Sequence, residues 1–275
     1  VTHSRPAIRA LLGDGLAPRR DLGQNFVADP NTVRRIAALA RVGPGSRVVE
    51  VGAGLGSLTL ALAETGADVL ALEVDRGLVP VLREVVADAG PGRVEVVETD
   101  ATTLEWTERL TPPEDWVLVA NLPYNVGTPL VLDVLDHVPA VTRLLVMVQR
   151  EVAERFAASP RTAAYGAVSV KVAYWASAAV VGTVPASVFV PRPNVESALV
   201  EIVRRPPPPV DAETLFTLVR AGFGQRRKML RRSLAGLVTP DQFTAAGIAP
   251  ESRPEELDLG AWCRLTDAVV AGGTE

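Results

Sequence analysis

An open, doubly wound α/β sheet followed by a small helical domain is the architecture predicted by the 275-residue sequence. Three features carry that expectation. Short β-branched runs alternate with helix-period segments, one such run enters a glycine turn that opens onto a helix, and four consecutive prolines, Pro206–Pro209, separate this pattern from a wholly helical one. Strands that alternate with amphipathic helices form a parallel sheet covered on both faces, because each helix must cross back over the sheet before the next parallel strand can start.

The expected strands are Val48–Val51, Val69–Leu72, Val94–Val97, Val117–Ala120 and Leu144–Val148, each near a Gly, Asn or Asp. Between them, Leu58–Glu64 and Leu78–Ala87 carry helical periodicity. The alternation of Val168, Val170, Val172 and Tyr174 predicts a further strand followed by a loop, and Ala198–Val203 predicts another. With no crossover helix between them, these two are expected to form an antiparallel edge pair. The proline run cannot lie inside a helix or a central strand and favours a stiff extended spacer. It sets the expected division into a catalytic domain, 1–205, with an N-terminal extension over 1–30, and a helical domain, 206–275. In the latter, Leu215, Phe216, Val219 and Phe223, then Leu230, Leu234 and Leu237, then Leu259, Trp262, Leu265 and Val269 mark helices.

Composition narrows the function classes. Hydrophobic residues at 48% and charged residues at 22% are ordinary for a soluble domain that needs no covalent staple. The single cysteine, Cys263, excludes an intramolecular disulfide and fits a reducing compartment. Two distant histidines, His3 and His137, leave little from which to build a zinc site or a His-based triad, so no metal is expected. The uncharged stretch Val172–Pro191 has the length of a membrane span, but Gly182, Pro185 and Pro191 interrupt it. The first fifteen residues lack the apolar core of a secretory signal, and Val1 reads as a trimmed start or a GTG initiator. The expectation is a cytoplasmic, monomeric protein without an obligate protein partner.

Net charge is −4, yet Arg220, Arg226, Arg227, Lys228, Arg231 and Arg232 fall within thirteen residues that contain no acid. Such a concentration is an electrostatic footprint for phosphate. A solvated face balanced by Glu251, Glu255, Glu256 and Asp258 accounts for the same residues.

Two motifs carry chemistry. In the first, Val48–Val51 runs into Gly52-Ala53-Gly54-Leu55-Gly56, where glycines allow a ligand to approach the backbone, and Glu73 ends the next strand where an acid can hold ribose hydroxyls. The dinucleotide fingerprint would require Gly or Ala where Ser57 stands. Glu50, at the start of the loop, disfavours a pyrophosphate and suits the ammonium of an amino acid. S-adenosyl-L-methionine has that ammonium and no phosphate. In the second motif, Asn121-Leu122-Pro123-Tyr124 follows the fourth strand. Acceptors from the Asn121 side chain and the Leu122 backbone, the latter held extended by Pro123, can take both hydrogens of an adenine amine and leave its nitrogen pyramidal. Tyr124 can stack on the base.

With these motifs in hand, the chain resembles the ribosomal RNA adenine N6-dimethyltransferase family, in its small-subunit type. The resemblance runs from Leu22-Gly23-Gln24-Asn25-Phe26 through Leu72–Asp75, Asp100-Ala101, Asn121–Tyr124, Gln149–Arg155, Tyr165-Gly166 and Phe189–Ser197 to Gln225–Lys228. It implies a Rossmann-like class I S-adenosylmethionine-dependent methyltransferase sheet and dimethylation of two adjacent adenosines near the 3′ end of 16S rRNA. The partner it implies is that rRNA in the 30S subunit or its precursor. It further implies that Asn25 and Val27 flank the methionine end of the cofactor with Gly52, Gly54 and Gly56. Glu73 would hold its ribose, and Asp100 its adenine amine, with Ala101 lining that pocket. Asn121, Leu122 and Tyr124 would hold the target adenine, Phe189 would cover its other face, and the Arg226–Arg232 cluster, with Arg19 and Arg20, would contact rRNA phosphates. Thr99, Gly127 and Arg161–Ala164 depart from the commonest family pattern. Three alternatives stay open: a 23S rRNA methyltransferase conferring macrolide resistance, a catalytically silent assembly factor, and an NAD-dependent oxidoreductase.

Overall fold

The computed structural model describes residues 3–13, 16–19, 21–90, 92–110 and 115–272. Its strands are β1 (Phe26–Val27), β2 (Arg47–Val51), β3 (Asp68–Glu73), β4 (Val94–Glu98), β5 (Trp116–Asn121), β6 (Val141–Gln149), β7 (Ala176–Val184), β8 (Phe189–Val190) and β9 (Ser197–Arg204). The helices are α1 (Arg5–Leu12), α2 (Pro30–Ala40), α3 (Ser57–Ala63), α4 (Leu78–Val86), α5 (Trp106–Arg109), α6 (Gly127–His137), α7 (Arg150–Phe156), α8 (Ala167–Trp175), α9 (Ala212–Gly224), α10 (Leu230–Ser233), α11 (Pro240–Ala245) and α12 (Leu259–Gly272). None of these helices is long and apolar enough to cross a membrane.

Seven strands form one sheet in the order β4-β3-β2-β5-β6-β9-β7. Strands β2 to β6 are parallel, and β9 runs antiparallel to β6 with Ser197 opposite Gln149. The central strands are apolar on both faces, as helix-covered parallel strands must be: Val48, Val49, Ala71 and Val119 are fully or almost fully buried. From β2 the chain moves outward to β3 and β4, then returns to place β5 on the other side of β2. That reversal opens a crevice beyond the carboxyl ends of β2 and β5, where open α/β sheets bind ligands. A separate two-stranded ribbon pairs β1 with β8, with Val27 opposite Phe189. Just after β1, Asp29 caps α2 by accepting from the Thr32 N–H at 2.9 Å, and Pro30 occupies the first turn.

One expected strand is a helix. Val168–Tyr174 lies in α8, and the edge strand occupies Ala176–Val184 instead, within the stretch read as a loop. The alternation of valines carried no information on period because AVSVKVAYW is apolar nearly all round. Helix start chemistry and tertiary packing decide: the Ser169 hydroxyl accepts from the Gly166 N–H and donates to the Arg155 carbonyl, and Tyr174 packs edge-on against Trp175 and Phe216. Ala198–Val203 lies between β6, to which it is antiparallel, and the edge strand β7.

The chain divides into two compact units, residues 1–153 with 179–204, and residues 154–178 with 205–275. The second unit is therefore larger than the expected 206–275. Its core explains the recruitment: Tyr165, Val170 and Tyr174 cluster with Leu215, Leu218, Leu230, Leu234, Trp262 and Leu265, and the Tyr165 hydroxyl donates to the Leu257 carbonyl at 2.8 Å. The prolines themselves are in neither helix nor strand.

Candidate cofactor and substrate site

The crevice is lined by Glu50, Gly52, Ala53, Gly54 and Ser57 from β2 and its glycine turn, and by Glu73 and Val74 from the end of β3. Asn121–Tyr124, Leu22–Val27 and Phe189 also line it, with apolar side chains of α2 and α3 behind them. A second cavity shares Leu22, Gly52, Val74 and Pro123 with it and continues to Asp100, Ala101 and Thr102. Both are concave and lined mainly by apolar atoms with a few polar groups among them, as small-molecule sites are. Among the described residues, the lining includes Glu50, Glu73, Asp21 and Asp100 and no arginine, lysine or histidine. Such walls repel a pyrophosphate and attract a cation.

The glycine turn divides its labour. Gly52, Gly54 and Gly56 all have positive φ, at 74°, 58° and 80°. A Cβ on Gly54 would stand 3.1 Å from the Phe26 ring, so this glycine lets Phe26 close on the turn. A Cβ on Gly56 would meet Leu82 and Val85 of α4 at 3.0 and 3.1 Å; Gly56 serves helix packing and lies outside the cleft lining.

Glu73 is buried and tied to backbone: its Oε2 accepts from the Gly54 N–H at 2.7 Å and its Oε1 from the Asp75 N–H at 2.8 Å. Burial raises its pKa, and those two donors work against the rise. Each oxygen keeps a further lone pair for a hydroxyl. Glu50 is 2% exposed, and its Oε2 has no hydrogen-bond partner. Burial pushes its carboxyl up to about 8; the Thr59 hydroxyl opposes the rise and the Glu73 carboxylate adds to it. Asp100 is exposed, with Oδ1 accepting from the Thr102 N–H and hydroxyl at 2.8 and 2.7 Å.

Asn121 ends β5 with its amide oriented. Its Nδ2 donates to the Asn25 carbonyl at 2.9 Å, which leaves Oδ1 as the acceptor end. Asn25 donates in turn to the Gly23 carbonyl at 2.9 Å. Leu122 is buried and its N–H donates to Met147 of β6 at 3.0 Å. Tyr124 is half-buried, and Phe189 and Val27 are buried through the β1–β8 ribbon. Gln24 and Val74 line the cleft without having stood out in the sequence from the motifs that contain them. Gln24 donates to Asp75 Oδ2 at 2.8 Å and accepts from the Arg19 N–H at 2.8 Å, which fastens the Leu22–Asn25 segment beside the cleft. Asp75 is buried and also holds the Gly77 N–H at 2.9 Å. Val74, 43% exposed, is an apolar floor that both cavities share.

In the second unit, Arg220, Arg227, Lys228, Arg231 and Arg232 are exposed. Arg226 is not of their kind. Its Nε donates to Glu255 at 2.6 Å and its Nη2 to the Thr162 carbonyl at 3.3 Å, so it braces the unit internally. Arg231 has a loose ion pair with Glu251 at 3.7 Å. Arg19 pairs with Asp21, and Arg20 lies outside the described residues.

A family model described as ribosomal RNA adenine dimethylase matches residues 15–270. The chain belongs to that family. A Cutibacterium acnes protein named ribosomal RNA small subunit methyltransferase A is 48% identical, the match covering 94% of this chain and 91% of that protein. A protein of the same name from Thermobifida fusca is also 48% identical over 92% and 91% of the two chains. Among solved structures, a dimethyladenosine transferase from Plasmodium falciparum superposes with a TM-score of 0.74 over 89% of this chain and 97% of its own, at 23% identity. The 23S rRNA methyltransferase ErmE gives 0.68 over 89% and 99%, at 27% identity. The enzyme is thus a methyltransferase of the ribosomal RNA adenine dimethylase family, with the class I sheet and S-adenosyl-L-methionine as methyl donor. Its cleft fits that donor: a buried carboxyl oxygen without a partner suits the ammonium, and acidic, phosphate-repelling walls suit a sulfonium.

Proposed function

We propose that this dimethyltransferase modifies the N6 amines of two adjacent adenosines near the 3′ end of 16S rRNA, in the 30S subunit or its precursor. The observation that carries the reading is Asn121: its amide is oriented by Asn25, and it ends β5 beside two aromatic residues in the same cleft as Glu50 and Glu73. Similarity at 48% to proteins named for the small subunit, against 27% to the 23S enzyme, supports the small subunit over the large.

The cofactor supplies an electrophilic methyl group on a sulfonium. In this reading Glu50, Asn25 and Val27 hold its methionine end, Gly52 and Gly54 face it, Glu73 takes the ribose hydroxyls, and Asp100 and Ala101 take the adenine. Asn121 Oδ1 and the Leu122 carbonyl accept from the two N6 hydrogens, which draws the nitrogen lone pair out of conjugation and aims it along the transfer direction. Tyr124 and Phe189 bracket the base. No side chain is needed as a strong base, because the nitrogen becomes acidic once methylated and its proton passes to water. Positioning and charge matching supply the rate enhancement. The protein acts as a cytoplasmic monomer.

Methyl transfer from labelled cofactor to 30S and 50S particles lacking these modifications tests the reading, with the labelled nucleoside identified. Label recovered as N6,N6-dimethyladenosine from 30S alone is the expected result; label in 50S moves the enzyme to the resistance class, and binding without transfer to either refutes the reading.

The exposed cations are proposed to grip rRNA phosphates. Alanine at Arg227, Lys228 or Arg232 is expected to weaken particle binding and to lower the slope of log affinity against log salt by about one each. Arg226→Ala is expected to lower the melting temperature and leave the slope nearly unchanged, because its partners are Glu255 and Thr162. Equal salt slopes for wild type and the Arg227 variant would remove that residue from the interface.

A further inference from the structure

We propose that Ser197 is a positioning residue for the transfer, setting the plane of the Tyr124 ring and through it the seat of the target base. The inference rests on the reading of Tyr124 as a base-stacking residue. Ser197 is 1% exposed, at the first position of β9, and its hydroxyl faces the Tyr124 hydroxyl at 3.3 Å. A buried hydroxyl needs a partner, and this one finds it in a half-buried side chain that lines the cleft.

The same strand fixes both ends of the ring. At the near end, the Leu122 N–H donates to Met147 of β6, and Pro123 restricts the backbone that leads into Tyr124. At the far end, Ser197 lies opposite Gln149, two residues further along β6. A ring whose chain is tied to one point of a strand two residues before it, and whose hydroxyl is tied at another, has reduced freedom to tilt. A phenylalanine there would stack but would keep only the near-end restraint.

Ser197 also belongs to the segment that supplies the opposite wall. Phe189, 1% exposed, is pinned by the pairing of β8 with β1, and Ser197 by the pairing of β9 with β6; the residues between them are largely exposed. One short segment therefore sets one aromatic wall directly and the other through a hydrogen bond, so the gap between the walls is fixed by two anchored points. A narrow, constant gap matters most for the second transfer, when the amine already carries a methyl group and has a single hydrogen left to orient it.

The test compares Ser197→Ala, Tyr124→Phe, the double variant and Ser197→Thr by turnover on 30S particles, by the ratio of N6-methyladenosine to N6,N6-dimethyladenosine, and by cofactor affinity. Ser197→Ala and Tyr124→Phe are each expected to lower kcat about five- to tenfold and to enrich the monomethyl product, with cofactor affinity at the wild-type level. The double variant is expected to be no worse than either single one, because both remove the same interaction, and Ser197→Thr to restore the dimethyl product. Wild-type product ratio and turnover in Ser197→Ala, or losses that multiply in the double variant, overturn the proposal. If Ser197→Ala fails to fold, Tyr124→Phe decides, and an unchanged product ratio from it overturns the proposal. Failure of the wild-type enzyme to dimethylate 30S adenosines would refute the functional reading instead, and shows in the control lane.

Discussion

Replacing Asn121 with alanine is expected to lower methyl transfer by about 10²–10³-fold while cofactor affinity stays close to the wild-type value. The asymmetry follows from how the side chain is held. Its Nδ2 is spent on the Asn25 carbonyl at 2.9 Å, so the side chain has Oδ1 to offer a ligand. Losing Oδ1 removes an acceptor that matters most as the amine pyramidalises, and an interaction felt mainly in the transition state appears in kcat. Cofactor contacts proposed for Glu50, Glu73 and Asp100 lie on β2, β3 and the turn after β4, and the substitution leaves them in place; among the proposed contacts, Asn25 is the one that loses a partner. Asn121→Asp separates orientation from acceptance. It keeps an acceptor but sets a carboxylate against the Asn25 carbonyl, so it should retain more transfer than alanine and bind cofactor less well. Single-turnover transfer and calorimetric titration give the two quantities independently. Near-normal transfer by Asn121→Ala would sink the assignment of the amine to this residue.

The sheet and the cleft were legible because they depend on local chemistry. Val48–Val51 is a β-branched run feeding glycines that must take positive φ, and Asn121 and Tyr124 follow a similar run; strand, turn and site appear together in the one-dimensional pattern. What was not legible depends on partners remote in sequence. Val168–Tyr174 has no amphipathic face to betray a helix, and its conformation is decided by Phe216 and by the Arg155 carbonyl. The second unit claims residues 154–178 for the same reason: Tyr165, Val170 and Tyr174 fill a core whose other half comes after the prolines. Arg226 looked like any member of its basic cluster, and only the fold sets Glu255 and Thr162 against it. Gln24 and Asp75 form a 2.8 Å bond across 51 residues that no spacing rule anticipates.

Glu50→Gln is expected to stabilise the cofactor-free enzyme increasingly above about pH 4.5 and to weaken its hold on S-adenosyl-L-methionine. Glu50 ordinarily titrates near 4.5, and burial in the folded chain raises it to about 8. Between those values the folded chain retains a proton that the unfolded chain has released, so stability falls as pH rises, by an amount on the order of 4–5 kcal/mol over the interval. Below about 4.5 both states are protonated and the contribution is fully present; above about 8 it is lost. Glutamine has no proton to lose. Melting temperatures of the two proteins should therefore converge at low pH and separate progressively up to about pH 8, with the variant higher. The cofactor reverses the preference, since an ammonium beside the unpartnered Oε2 favours the ionised carboxylate and replaces the water that burial removed. Losing that charge-assisted contact should weaken binding by about 10–100-fold. The wild-type enzyme should also release close to one proton on binding near pH 7, seen as a binding enthalpy that depends on the ionisation enthalpy of the buffer, and the variant should not. Parallel melting curves across the pH range, or equal proton release by the two proteins, would show that Glu50 is not the group that the cofactor ionises. The same carboxyl thus weakens the empty fold at neutral pH and strengthens the loaded one, so cofactor binding and stability are coupled through a single side chain.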